Sequence, residues 1–275
     1  MMGNPKLVAM GQRTRQAVLS FLLAHGYSTS AILQCVSGLS QSAHWHLLHK
    51  LEKEGLILHY DAWIDSDVKI RLYGITILGV HDVTPENRVP NDYRRFEPSK
   101  FRLGYMQHHL EIQRFHLWAM RQGLTFHSEK DFYEAHKVEG DKCADGVLEV
   151  KGKRIAIEIE RTPKSQKRYS EILVNYFREL QNETFHKVWY IMPNEKLKSS
   201  IMRLITSIKT IRVKGALSTS ALALTPEHWQ YFEFLVHPYY ELERQQKESK
   251  VAKSQNKKQS ANQQGVPTCT AQQAK

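Results

Sequence analysis

No run of apolar residues in this sequence approaches the roughly eighteen needed to cross a bilayer, and no basic amphipathic helix stands out. Membrane-spanning and membrane-surface roles are set aside, and no membrane partner is expected. The N-terminus lacks the apolar h-region of a secretory signal. Met2-Gly3 resembles a myristoylation start, but Leu7 stands where Ser or Thr is required. Cysteine is scarce: Cys35, Cys143 and Cys269 are an odd number at unrelated spacings, which argues against a disulfide framework or a cysteine zinc site. Thiols of this kind predict a cytoplasmic protein. Acidic residues are in deficit, with 28 Asp and Glu against 39 Lys and Arg and a net charge of +11. An excess of that size favours a polyanion, and nucleic acid is the commonest one. The 275 residues, 41% of them apolar, suffice for a real core in one or two domains.

Chemistry is concentrated in residues 142–164. Val147 to Val150 and Ile155 to Glu160 read as the strands of a β-hairpin around Gly152. Alternation sends Ile155, Ile157 and Ile159 to one face and Ala156, Glu158 and Glu160 to the other. A turn centred on Lys151-Gly152 puts Asp145 opposite Glu158. A longer loop, 151–154, puts it opposite Glu160. In either register Asp145 shares a face with the two glutamates. Three carboxylates so close repel one another unless a cation balances them, and hard oxygen donors suit Mg²⁺ or Mn²⁺. With Lys164 and Lys167 following, such a group can hold a metal, orient a water and stabilise a phosphodiester under attack. The competing reading is structural, because any half-solvated strand shows the same alternation.

Upstream, apolar spacing predicts helices over 11–24, 29–36 and 40–54, the last capped by Ser40 and ended by Gly55. Ala43, Leu47, Leu48 and Leu51 form its buried stripe. Strands at 56–58 and 70–73 flank a polar loop. Three helices and a two-stranded wing predict a winged helix over 1–81, whose third helix reads DNA through Ser42, His46, His49, Lys50 and Lys53. His44-Trp45-His46 resembles a metal-binding triplet, but on a helix its two histidines diverge by about 200°. Residues 82–103, with three prolines and little periodicity, read as a linker.

A helix over 104–122 carries His108 and Glu111 one turn apart, possible contributors if that side faces the hairpin acids. One or two strands are expected within 125–139. Thr162-Pro163 is expected to open a helix whose core stripe includes Tyr169, Ile172, Leu173 and Tyr176. Lys167 and Arg168 lie in its first turns, where a phosphate offsets their conflict with the helix dipole. A strand at 186–192, a helix at 196–207 and strands within 211–224 complete an α/β chain (α+β overall). The catalytic half spans 104–240. From 241 to 275, Lys, Gln, Ser and Asn dominate, which predicts a disordered basic tail.

Four pieces in order carry a resemblance: Leu72-Tyr-Gly-Ile-Thr76, His108-His-Leu-Glu-Ile112, Ala144-Asp-Gly146, and Glu158-Ile-Glu-Arg-Thr-Pro-Lys-Ser-Gln-Lys-Arg-Tyr169. With them the chain resembles the replication-relaxation family, and within it the MobC-class plasmid mobilisation relaxases, over about residues 10–195. The resemblance implies a restriction-endonuclease-like mixed sheet and metal-dependent, site- and strand-specific nicking of plasmid DNA at an origin of transfer. It also implies relaxosome accessory and coupling proteins as partners. Asp145, Glu158 and Glu160 would form the metal-binding acidic centre with Mg²⁺ or Mn²⁺, and Lys164 or Lys167 would be the lysine. Ala144 replaces the usual proline, and Glu160 stands where a lysine is more common. Hydrolysis by an activated water is expected, with covalent attack by Tyr169 as the alternative. A rival class is a non-catalytic winged-helix DNA-binding accessory or regulatory protein.

Overall fold

The computed structural model describes residues 5–84, 89–90, 94–136, 144–214 and 219–240. The 241–275 tail and most of residues 85–93 lie outside the described residues. The chain is α/β, built on a three-stranded, a five-stranded and a two-stranded sheet.

The first half runs α1 (Pro5–His25), β1 (Tyr27–Thr29), α2 (Ser30–Ser37), α3 (Gln41–Lys53), β2 (Ile57–Trp63) and β3 (Lys69–Ile75). Thr29 and Ser40 sit in extended backbone before α2 and α3. Their hydroxyls accept from Ile32 N and Ala43 N, each satisfying one of the donors its helix start leaves unpaired. The strands form an antiparallel sheet in the order β1-β3-β2. Strand β1 is an addition to the expected wing, and its three residues were too few to show periodicity. The buried side of α3 also differs from expectation. Leu48 and Leu51 are buried and Leu47 partly so, but Ala43 is exposed and His44 turns inward, 3.2 Å from the Ser37 hydroxyl. The helical sweep between neighbouring positions separates His44 from the exposed His46, as the geometry requires.

A short α4 (Ile77–Val83) follows. Beyond it, Phe96 packs flat on Gly74: a Cβ there would lie 2.1 Å from the Phe96 ring. The Phe96 N–H also donates to Ile75 O at 2.8 Å, so the far end of the expected linker is fastened to the first sheet.

The second half runs α5 (Leu103–Arg121), β4 (Thr125–Ser128), α6 (Glu129–His136), β5 (Gly146–Val150), β6 (Lys153–Ile159), α7 (Gln166–Gln181), β7 (Lys187–Met192), α8 (Glu195–Thr206), β8 (Thr210–Lys214), β9 (Thr219–Ala223), α9 (Pro226–Trp229) and β10 (Phe232–Val236). Its sheet has the order β10-β7-β6-β5-β4. Strands β6, β7 and β10 are parallel, and β5 and β4 are antiparallel additions. Strand β6 is therefore central. One face of it packs Ile155, Ile157 and Ile159 on Phe115 of α5. On the other face Ala156 packs among Tyr169, Leu173 and Tyr176 of α7. Each fully buried aromatic or Leu of that stripe contributes roughly 1.5–3 kcal/mol.

Two expectations are corrected. Residues 129–136 form a helix where a second strand was possible, because the Ser128 hydroxyl accepts from Asp131 N and donates to its carboxylate, closing a helix start. Helix α7 opens at Gln166, with Ser165 as its cap accepting from Arg168 N, rather than at Thr162-Pro163. Lys164 consequently lies in the connection before the helix.

Helix α5 joins the halves. Met106, Leu110 and Leu117 belong to the first core, and Phe115 and Ala119 to the sheet's. Gln113 donates to Tyr27 O at 2.6 Å and accepts from the Ser28 hydroxyl at 2.5 Å.

Candidate active site

The site begins with a two-residue turn. Lys151 (φ 50°) and Gly152 (φ 76°) both occupy the left-handed region, the requirement of a type I′ hairpin. That turn pairs Val150 with Lys153 and Gly146 with Ile157, so one step further Asp145 stands opposite Glu158. Of the two registers open in the sequence, this is the shorter-loop one. Gly146 keeps Asp145 in place: a Cβ there would meet the Phe126 ring at 2.2 Å. The Asp145 N–H donates to Ile157 O at 2.9 Å, and its Oδ2 accepts from Ile159 N at 2.7 Å. The carboxylate is thereby locked at the carboxyl end of β6, where parallel sheets present their sites.

Each acid has a distinct partner. His108, reaching in from α5, places Nε2 3.0 Å from Asp145 Oδ1. Burial alone would lower the His108 pKa, but the hydrogen bond and charge of Asp145 override it and raise it. Glu158 is buried and accepts from the Tyr176 hydroxyl at 2.6 Å. Burial first, then the charge of Asp145, pushes its pKa well above the usual carboxylate range, against the opposing pull of Lys164 and Tyr176. Glu160, also buried, forms an ion pair with Lys164 Nζ. Burial raises the Glu160 pKa and Lys164 works against the rise. The Lys164 N–H also donates to the Tyr169 hydroxyl at 3.2 Å. The site is not sealed: the Asp145, His108 and Lys164 side chains are 21%, 34% and 35% exposed. A cavity of ≈ 190 Å³ adjoins Asp145 and is lined by His109, Arg94, Lys130 and Ser128.

The remaining candidates separate. Glu111 does not face the acids. Its carboxylate accepts from Tyr240 at 2.6 and 2.7 Å and from Arg114 at 2.9 Å, a structural tie to the end of the described chain. Lys167 is exposed on the outer side of α7, lining a groove with Ser170, Glu171 and Arg212, and Arg168 pairs with Glu171 at 3.0 Å. Neither meets the acids. Tyr169 is fully buried, and burial pushes its pKa up to about 12. Ser42, His46, His49, Lys50 and Lys53 are all exposed on α3. Tyr176 was assigned to the core from its spacing alone. A hydroxyl in the middle of an apolar stripe, facing an acidic strand, is the signal that marks it as a donor.

The residues can be tested against the implied metal. Among the described residues no group of three or more His, Cys, Asp or Glu side chains is disposed to hold an ion. Glu160 is taken up by Lys164. Asp145 and Glu158 remain as an all-oxygen pair whose mutual repulsion a cation would relieve. Mg²⁺ is bound by one or two carboxylates with water in its other positions, and this pair fits that requirement.

Among the described residues no helix is long and apolar enough to cross a membrane. Compared with known families and curated proteins, the chain matches no family model and no curated sequence.

Proposed function

We propose that this protein is a metal-dependent DNA endonuclease that nicks one strand, acting as a plasmid mobilisation relaxase at an origin of transfer. The observation that carries the reading is Asp145 facing Glu158 across the central hairpin, with His108, Glu160 and Lys164 around the same open strand end. Asp145 and Glu158 would hold Mg²⁺ or Mn²⁺, which when bound lowers the pKa of a water and polarises a phosphoryl oxygen. His108 orients Asp145 by fixing one of its oxygens, and the Ile159 amide fixes the other. Lys164 takes the place of the lysine missing at position 160, with its ammonium beside Glu160 and available to a phosphate carrying extra negative charge. Tyr169 serves packing, because its hydroxyl is buried, bonded to Lys164 N and hard to ionise.

The first half supports DNA recognition. Its three helices and antiparallel sheet have the order of a winged helix, and α3 presents Ser42, His46, His49, Lys50 and Lys53 to solvent. Accessory and coupling proteins of a relaxosome are the partners this role requires. The test is a supercoiled plasmid carrying an origin of transfer, incubated with and without Mg²⁺ or Mn²⁺. Wild type is expected to yield open circles only with metal, and Asp145→Ala and Glu158→Ala to bind the plasmid without nicking it. Metal-independent nicking, or nicking by Asp145→Ala, overturns the assignment.

One observation favours a second reading, a non-catalytic DNA-binding regulator. Glu158 is buried and biased towards its neutral form, which lacks the charge a metal ligand needs. That reading expects equal DNA affinity in wild type and Asp145→Ala, with no cleavage by either.

A further inference from the structure

Helix α3 carries one large apolar side chain where a solvated helix has no use for it. Trp45 is 58% exposed. Its indole lies parallel to the His49 ring, with centroids 5.3 Å apart and planes 8° apart, and His46 meets it edge-on at 5.0 Å. One side of the indole is thus backed by a second ring. Lys50 and Lys53 stand on the same exposed helix, none of whose exposed residues between 41 and 53 is acidic, and Lys50 pairs at 3.8 Å with the exposed Glu54 that follows. Glu52, the one carboxylate in that span, is occupied by His59 at 2.6 Å.

A flat apolar plate beside cations is the arrangement that holds single-stranded nucleic acid: bases stack on the ring and phosphates lie along the positive charges. A base inside a duplex has both faces covered by its neighbours, and only an unpaired base can lie on an indole. The other exposed tryptophan does not offer the same site. Trp63 is 60% exposed, but exposed Asp65 and Asp67 follow it in the β2–β3 turn and would repel a phosphate.

Resting on the DNA-binding reading above, we propose that Trp45, backed by His49 and with Lys50 and Lys53 further along the same helix, is a stacking site for an unpaired base of single-stranded or locally melted DNA. The first half of the protein would then recognise an opened strand as well as a duplex sequence.

The test measures equilibrium binding in EDTA, so that cleavage plays no part, with labelled single-stranded, fully paired and bubble-containing DNA. Trp45→Ala is expected to lose about 5- to 150-fold in affinity for the single strand and the bubble, the cost of one base–aromatic stack, while its duplex affinity stays near wild type. Trp45→Phe, which keeps an aromatic face, is expected to retain most of the affinity. The exposure of Trp45 leaves the fold intact in either variant, checked by circular dichroism. Unchanged affinity in Trp45→Ala, or an equal loss on all three DNAs, overturns the proposal. Wild type binding duplex but not single strands overturns it while leaving the DNA-binding reading standing. Wild type binding no DNA overturns both.

Discussion

Acidification should loosen the seam between the two halves through a cluster of histidines. His25, at the end of α1, places Nε2 2.8 Å from Nδ1 of His116 on α5, and the His109 Nε2 on the same helix lies 2.8 Å from His25 O. Burial holds the His109 and His116 pKa values down at about 4. It also holds His25 well below its usual value, with the charges of His116 and His109 adding to the effect. In the unfolded chain each of these rings titrates near 6.5, so between pH 6.5 and 4 the unfolded state binds more protons than the folded state. Stability therefore rises with pH across that window and falls as the pH drops. A shift from 6.5 to 4 in one ring is worth about 3.4 kcal/mol when complete. Between pH 7 and 5 alone it removes about 2 kcal/mol. His109 and His116 together set a ceiling of about 4 kcal/mol, a large share of the 5–15 kcal/mol typical of a folded protein.

Glu158 and Glu160 act with the opposite sign. Their raised folded pKa values give stability that is present at low pH and lost as the pH rises through them. The histidine effect is isolated by comparing wild type with His116→Phe, in which both glutamates are untouched. The new ring would sit against Phe21 and Phe126, already 5.1 and 4.9 Å from His116 by ring centroids. At pH 7 the variant loses about 1 kcal/mol with the His25 hydrogen bond. Urea unfolding followed by tryptophan fluorescence at pH 7, 6 and 5 should show the wild type losing about 2 kcal/mol more than His116→Phe over that interval. Parallel pH profiles for the two proteins would refute the reasoning.

Lys164→Ala should lower the nicking rate on supercoiled plasmid by about 100-fold or more, the usual loss when a charge-stabilising donor is removed. Lys167→Ala should leave the rate near wild type, and equal losses in the two variants would remove the distinction between the lysines. Tyr169→Phe should keep nicking and cost about 1 kcal/mol in unfolding, because the Lys164 amide loses its acceptor. A DNA–protein adduct surviving denaturing electrophoresis in wild type and absent in Tyr169→Phe would reinstate covalent attack.

How far the site could be read in advance depended on the range of the interactions that build it. The hairpin was legible because its rules are local: two turn lengths were open, and in either register strand alternation puts Asp145 and both glutamates on one face. The stripe of α7 was legible for the same reason, since Tyr169, Ile172, Leu173 and Tyr176 recur at helical spacing and are all buried. Strand β10 gave no such signal, because its pairing partner, β7, is forty residues away in sequence and only the closed sheet selects it. His108 and Glu111 share a helix side on paper, yet a three-residue step turns the second by about 60° from the first and lifts it about 4.5 Å along the axis. That displacement was enough for Tyr240, more than a hundred residues on, to claim Glu111.

The lysine shows the limit most clearly. Thr162-Pro163 and Ser165 are both plausible helix starts, and the choice decides which ammonium reaches the acids. With Ser165 as the cap, Lys164 stays in the connection leaving β6 and folds back onto Glu160, while Lys167 is carried round to the outside of α7. A helix opened at Pro163 would have placed Lys164 in its first turn, with its side chain committed to the helix surface. The three-residue difference in where a helix begins thus determines whether the buried Glu160 has a counter-charge. Its energetic reason is the same buried carboxylate, which is costly to leave unpaired.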